Sequence, residues 1–252
     1  MITSTSNKQV KHIVQLQKKA RIRREENVFI AEGPRMVMET PKDMLQEIYV
    51  AESFSENWDG PVDEIVSDAV MKAMSDTQTP QGVLAVVKRP SYTLENILAV
   101  RPAHLLLIEE IQDPGNLGTM FRTGEGAGIT GVIMHKNTVD LFHPKTVRST
   151  MGSLYRVPFY VAEDWDKTVR EIAQAGVNLY AAHLQGTKMY DMFDYRSDCA
   201  FMIGNEGNGL TDATASLADD YLRIPMAGAV ESLNAAMAAG ILMYEVSRQR
   251  RQ

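Results

Sequence analysis

The chain has 252 residues, 44% of them hydrophobic and 23% charged, so it can bury a real core and wholesale disorder is excluded. Its longest unbroken apolar run, Ala235 to Tyr244, is far short of the roughly 18 residues that a membrane span needs. The single cysteine, Cys199, excludes an intrachain disulfide and a Cys-rich zinc site, and points to a reducing, cytoplasmic compartment.

No secretory apolar core follows Met1, so secretion is not expected. Residues 1–24 are basic and acid-free, as in an organelle transit peptide, but their apolar period fits a folded helix better. The net charge of −6 is unevenly spread: residues 1–35 hold eight Lys and Arg against three Glu, and Arg248, Arg250 and Arg251 close the chain. Basic patches on an acidic body suit a protein that seeks phosphate at a chosen place. Two solvated helix faces would give the same pattern.

In chain order, Val10, Ile13, Val14 and Leu16 or Gln17 predict a helix over Lys8 to Lys19. A basic loop, Arg21 to Glu26, follows. Residues 28–31 are a short strand, and Gly33-Pro34 opens a helix through Thr40. Strands are expected at Leu45 to Val50, Glu64 to Val66 and Gly82 to Val87. Between them lie a polar loop or short helix (Ser53 to Asp59) and a helix capped by Ser67 or Asp68. Together these make a small α/β/α domain over residues 1–90, with residues 91–103 as a linker. The remainder, 104–252, repeats strand, loop and helix. Its strand candidates are His104 to Glu109, Gly131 to His135, Val177 to Ala182, Ala200 to Ile203 and Tyr221 to Ile224. The first, fourth and fifth are compact apolar runs that suit an open, mostly parallel sheet, in which ligands sit beyond the strands' carboxyl ends. A helix over Asp166 to Ala175 ends at Gly176.

Three loops at strand ends stand out. The first runs from Asp113 to Arg122; Asn116 is placed to cap a helix whose second turn carries Arg122. Gly118, Gly124, Gly126 and Gly128 lower that helix's propensity by about 1 kcal/mol each, which close backbone packing must offset. The second loop is Ile203-Gly204-Asn205-Glu206-Gly207-Asn208-Gly209-Leu210. Its glycine spacing fits neither a dinucleotide fingerprint nor a P-loop. The third is Ile224-Pro225-Met226 followed by Ser232-Leu233-Asn234, with Ser232 placed to cap a helix that is apolar nearly all round. Such a helix must be buried on most sides, in its own domain or against another subunit. The histidines share no ligand spacing, so no metal is expected; Cys199 and the methionines fit core filler.

These three loops, in order, resemble the signature motifs of the SpoU (TrmH-like) ribose 2′-O RNA methyltransferases of the SPOUT superfamily. The first resembles Asn-x-Gly-x-x-x-Arg (Asn116, Gly118, Arg122), and the second Gly-x-Glu-x-x-Gly-Leu (Gly204, Glu206, Gly209, Leu210). The third resembles Ile-Pro-Met with Ser-Leu-Asn. Arg148-Ser149-Thr150-Met151-Gly152 is also similar, with Thr150 where a small alanine is expected. Residues 1–90 resemble, less specifically, a ribosomal-protein-like RNA-binding domain.

The resemblance implies an α/β methyltransferase domain with a deep C-terminal trefoil knot, working as a homodimer. It implies S-adenosylmethionine as cofactor, held by Ala182, His183, Leu184, Gly204, Asn205, Gly209, Ile224, Met226 and Leu233. Arg122, Asn116, Glu206, Ser232 and Asn234 are the implied catalytic residues, with Arg122 reaching the partner's cofactor site. Lys18, Lys19, Arg21, Arg23, Arg24 and Arg148 are candidates for RNA. A ribose hydroxyl is a poor nucleophile and needs a base or a cation for the forming alkoxide; arginine almost never deprotonates, so Arg122 fits the cation. The added RNA-binding domain points to ribosomal RNA rather than tRNA. A non-catalytic RNA-binding or ribosome-assembly factor is the alternative, though it could have lost Arg122 or Ser232. A nucleotide-dependent oxidoreductase lacks the early glycine fingerprint.

Overall fold

The computed structural model describes residues 1–252, which divide into two compact units. The first unit comprises residues 1–90 and 140–155; the second comprises 91–139 and 156–252.

The first unit holds a four-stranded sheet of β1 (Val28–Glu32), β2 (Leu45–Ala51), β3 (Glu64–Val66) and β4 (Val83–Lys88), in the order β1-β4-β2-β3. β4 runs antiparallel to both neighbours, and β3 runs parallel to β2. Strand residues alternate faces. Val28, Ile30, Tyr49, Leu84 and Val86 share a core with Val10, Ile13 and Leu16 of the helix Lys8–Lys18, and with Val70, Met71 and Met74 of the helix Asp68–Met74. Asn7 and Ser67 cap these helices through their side-chain oxygens. The extended backbone of Lys19 ends the first helix, and a second helix, Ala20–Glu25, stands where a basic loop was expected.

Residues 140–155, which the sequence assigns to the methyltransferase half, cover the other face of this sheet. The Phe142 ring lies 5.0 Å from that of Phe29, and the Tyr155 ring 6.2 Å from it. Thr40 Oγ1 donates to the Tyr155 hydroxyl at 2.8 Å. Asp140 accepts from Arg23, whose guanidinium is also spent on the carbonyls of Leu16 and Gln17. A four-stranded sheet needs cover on both faces, and residues 1–90 supply the second cover only through the short helix Pro34–Met38.

The second unit is a seven-stranded, all-parallel sheet. Its strands are β5 (His104–Ile108), β6 (Gly131–His135), β7 (Phe159–Ala162), β8 (Asn178–Ala182), β9 (Lys188–Met189), β10 (Cys199–Ile203) and β11 (Asp220–Arg223). They stand in the order β7-β6-β5-β10-β8-β11-β9. The two unexpected strands, β7 and β9, are short and form the sheet's edges. Residues 91–103 are no free linker: Ile97, on the helix Leu94–Leu98, is buried in the core with Leu105, Leu107, Trp165 and Ile172.

On the other face, the helix Pro114–Ala127 packs against the C-terminal helix Ala235–Arg250. The glycines make this approach possible. A Cβ at Gly240 would stand 3.3 Å from Thr123 Cγ2, and one at Gly126 3.0 Å from the Tyr244 hydroxyl. The C-terminal helix buries Ala236, Ala239, Leu242, Met243 and Val246, whereas Met237 and Tyr244 remain 59% and 48% exposed. Its apolar girdle is thus only partly covered within the chain.

Truncating Phe142 to alanine should destabilise the first unit by about 3–5 kcal/mol, the cost of deleting a buried phenylalanine ring. Urea unfolding followed by the fluorescence of Trp58, which lies in that unit, measures this; a change below about 1 kcal/mol would show that the segment is not part of the core.

Candidate active site

The carboxyl ends of β5, β10 and β11 bring the three loops together. Asp113, not Asn116, caps the first helix: Asp113 Oδ1 accepts from Asn116 N at 2.8 Å, and Pro114 takes the first helical position. The helix therefore starts earlier than expected, and Arg122 falls on its third turn. Likewise Asn234, not Ser232, caps the last helix, accepting from Ala236 N at 2.9 Å and Met237 N at 3.3 Å. In both cases the residue adjoining the first helical turn has the better reach to the free N–H groups.

The Asn116 side chain is spent on a bridge instead. Its Nδ2 donates to Glu206 Oε1 at 2.9 Å, and its Oδ1 accepts from Asn234 Nδ2 at 2.9 Å. The Glu206 carboxylate also accepts from the backbone N–H groups of Gln112 (3.1 Å) and Asp113 (3.0 Å). One carboxylate and two amides thereby join all three loops. Burial by itself would raise the Glu206 pKa, but the hydrogen bonds from Asn116, Asp113 and Gln112 outweigh it and hold the carboxyl below the ordinary glutamate range.

The glycine loop between β10 and the helix Asp212–Ala215 is closed on itself by paired Asn205–Gly209 backbone bonds of 3.0 and 2.9 Å. At Gly204 a Cβ would meet the Gly209 carbonyl carbon at 2.0 Å and Leu210 N at 2.1 Å. These obstacles are backbone, so no side chain fits there. Asn205 Nδ2 reaches back to the carbonyl of Glu110 at 2.9 Å, a residue held at φ +55°.

Beside this network lies a cavity of about 520 Å³. Ala182, His183, Leu184, Gly204, Asn205, Gly209, Ile224, Met226 and Leu233 all line it, as do Glu206, Ser232 and Asn234. Asn116 stands behind the wall. Arg122 is exposed and outside the cavity, without an ion pair in its own chain. Ser232 is exposed and keeps its hydroxyl unspent, whereas Asn234 has committed both ends of its amide.

The basic candidates divide. Lys18, Lys19 and Arg24 are exposed, and Arg21 is exposed but paired with Glu25 at 2.6 Å. Arg23 is 2% exposed and committed to Asp140, so it is a structural residue and not a phosphate contact. Arg148 is mostly covered, and pairs with Asp76 at 2.8 Å and Glu32 at 3.8 Å. Both arginines turned inward because residues 140–155 pack into the first unit. The backbone N–H groups of Gln112 and Asp113 that hold Glu206 were not foreseen, because backbone donors leave no side-chain signal in a sequence. No three His, Cys, Asp or Glu side chains converge as a metal ion would require, and no helix is long and apolar enough to cross a membrane.

Residues 103–244 match the SpoU rRNA methylase family, and residues 7–85 match the MRM3-like substrate binding domain. The chain is 35% identical over 250 residues to the 23S rRNA (guanosine(2553)-2′-O)-methyltransferase RlmP of Bacillus subtilis, an alignment spanning 97% of this chain and 98% of that one. Among solved structures, the AdoMet-bound rRNA methyltransferase from Sinorhizobium meliloti matches with a TM-score of 0.86 at 31% identity, over 98% of this chain and 97% of its own. The SpoU methyltransferase AviRb from Streptomyces viridochromogenes, in complex with AdoMet, matches with a TM-score of 0.86 at 25% identity, over 98% and 99%. The chain belongs to the SpoU rRNA methylase family. It is an enzyme, a methyltransferase.

Because Glu206 has a depressed pKa in the folded protein, the ordering it provides is complete above the ordinary glutamate range and is lost as pH falls through the lowered value. The Asn116 side-chain amide signals should therefore titrate with a midpoint below about 4.3, the ordinary glutamate pKa. A midpoint at or above that value would mean that the bridge to Glu206 is not formed.

Proposed function

We propose that this protein transfers a methyl group from S-adenosylmethionine to a ribose 2′-hydroxyl of 23S ribosomal RNA in the cytoplasm. The observation that carries the reading is the convergence of all nine expected cofactor residues on one cavity. Its volume lies within the roughly 300–1,000 Å³ typical of small-molecule sites. The residues present fit the cofactor. Ile224, Met226 and Leu233 offer apolar surface for an adenine ring, the strand-end backbone of Ala182 to Leu184 and Gly204 offers hydrogen-bonding groups, and Glu206 offers negative charge. When bound, the cofactor supplies an electrophilic methyl group on a sulfonium. The relatives named above support ribosomal RNA, one of them on a guanosine of 23S rRNA.

The protein's own residues have distinct tasks in this reading. Glu206 and Asn116 set the geometry of the loops before substrate arrives, so the site contributes mainly orientation. Ser232, with its free hydroxyl, hydrogen-bonds the ribose. Arg122 stays protonated and stabilises the alkoxide as the ribose proton passes to solvent. Lys18, Lys19 and Arg24 contact RNA phosphate.

The working form is a homodimer. Met237 and Tyr244 form an exposed apolar strip on the C-terminal helix, beside the helix that carries Arg122. A twin packed there would bring Arg122 to the cavity of its partner, which explains an arginine that reaches no cavity in its own chain. We also propose that the C-terminal region is knotted. In support, β10 lies between β5 and β8 although it follows β9 in the chain, and Arg250 near the chain end donates to the carbonyls of Pro102 (3.1 Å) and Ala103 (2.8 Å) at the start of β5.

Incubating the protein with labelled S-adenosylmethionine and unmodified ribosomal RNA should transfer label to one nucleotide of 23S rRNA, whose 3′ linkage then resists alkali. Cofactor binding without any transfer would favour an assembly factor.

For the dimer, Arg122→Ala should lower kcat by about 10²–10³-fold, as loss of an oxyanion donor does. Ala238→Trp, which fills the cavity from the rigid last helix, should also be nearly inactive. Gly204 is unsuitable for this purpose, since any side chain there collides with backbone. Mixed with subunit exchange, the two variants should regain activity, because one site per heterodimer carries neither lesion. No recovery despite proven exchange would place the whole site within one chain.

Reversing Lys18, Lys19 and Arg24 to Glu should weaken RNA binding, lower its salt slope by about one per lost phosphate contact and leave cofactor affinity intact. Unchanged RNA binding would reduce this patch to a solvated face.

A further inference from the structure

We propose that Glu109 is a positioning residue for cofactor binding. Its backbone and its buried carboxylate hold the two ends of the glycine loop and so fix the cavity wall. The inference rests on the reading of that cavity as the S-adenosylmethionine site.

Glu109 follows β5 directly and is only 6% exposed. Its N–H donates to the Ile203 carbonyl, at the entrance of the loop, at 2.9 Å. Its carboxylate grips the exit: Oε2 accepts from Thr211 N at 2.9 Å, and Oε1 accepts from Thr211 Oγ1 at 2.8 Å and from Thr214 Oγ1. Thr214 Oγ1 in turn accepts from the Trp165 indole N–H at 3.0 Å, and Thr211 Oγ1 caps the helix Asp212–Ala215 by accepting from Thr214 N at 3.2 Å. Each hydroxyl therefore donates to the carboxylate and accepts from a fixed N–H, so neither can rotate away without losing two bonds.

Everything between these anchor points, Gly204 to Gly209, lines the cavity, while Glu109, Thr211 and Thr214 do not. Glu109 can influence a ligand there only through the loop. A buried carboxylate is costly, and three donors are needed to satisfy it. An apolar residue would cover the same space at less expense in solvation, so the charge is best explained by the geometry it imposes. Glu206 fixes the loop's tip against Gln112 and Asp113. Glu109 fixes its base. With both ends and the tip held, the loop meets its ligand already ordered, and binding loses less entropy.

In Glu109→Gln the size is kept, but an amide NH₂ replaces one acceptor and faces a donor that it cannot satisfy. The dissociation constant and KM for S-adenosylmethionine should rise about ten-fold or more, with KM for RNA unchanged. Hydrogen exchange of the 204–210 amides should quicken, while that of the β5 and β10 amides does not. Thr211→Val should weaken cofactor binding in the same direction, and Thr211→Ser, which keeps the donor, should recover most of it. These measurements are made below each variant's thermal midpoint; if Glu109→Gln does not fold, the Thr211 pair decides. Parent-like cofactor affinity with parent-like loop exchange would overturn the proposal. So would a uniform loss of stability with the loop no more mobile than the strands. A parent protein that binds no S-adenosylmethionine would overturn the functional reading instead, and the exchange comparison would still decide whether Glu109 holds the loop.

Discussion

The Glu206 carboxylate accepts the backbone N–H groups of Gln112 and Asp113, in the loop after β5, and the side-chain N–H of Asn116, and the geometry of the site is referred to that contact. Two chain segments about ninety residues apart in sequence meet there. Through Asn116 the contact extends to Asn234 and thence to the first turn of the C-terminal helix. An ionised carboxylate suits this junction because it accepts several N–H groups at once and binds them more strongly than a neutral group would. The loops are thus already ordered against one another in the folded chain. Ser232 and Arg122, the two proposed catalytic side chains that remain uncommitted, are those proposed to meet the substrate.

Glycine serves this site by permitting backbone contact rather than by lending flexibility. Gly204 lies against the backbone of Gly209 and Leu210, and Gly126 and Gly240 let the helices Pro114–Ala127 and Ala235–Arg250 approach closely. The entropic penalty of glycine in a helix is offset by the contact it allows. The same helix pair leaves Met237 and Tyr244 uncovered, so the elements that build the cavity also carry the surface proposed for the twin.

Much of this was legible in the sequence because the informative residues are local. Apolar runs marked β5, β6, β8, β10 and β11, and the loop motifs marked the cavity lining. What escaped depends on contacts distant in sequence. The charges of Arg23 and Arg148 look free until Asp140, Asp76 and Glu32 are seen beside them. Phe142 is an unremarkable aromatic until it meets Phe29. β7 and β9 are short edge strands with no apolar run to announce them. The caps were misassigned by two or three residues for a related reason: Asn116 and Ser232 have the right chemistry for capping, but Asp113 and Asn234 reach the free N–H groups, and only coordinates distinguish them.

S-adenosylmethionine is proposed to occupy the cavity beside the junction of the three loops. Adding the cofactor to isotopically labelled protein and following backbone amide shifts tests it most directly. Saturable shifts are expected at residues 182–184, 204–209, 224, 226 and 233, with the first unit undisturbed. Shifts confined to the first unit, or none at saturating cofactor, would contradict it.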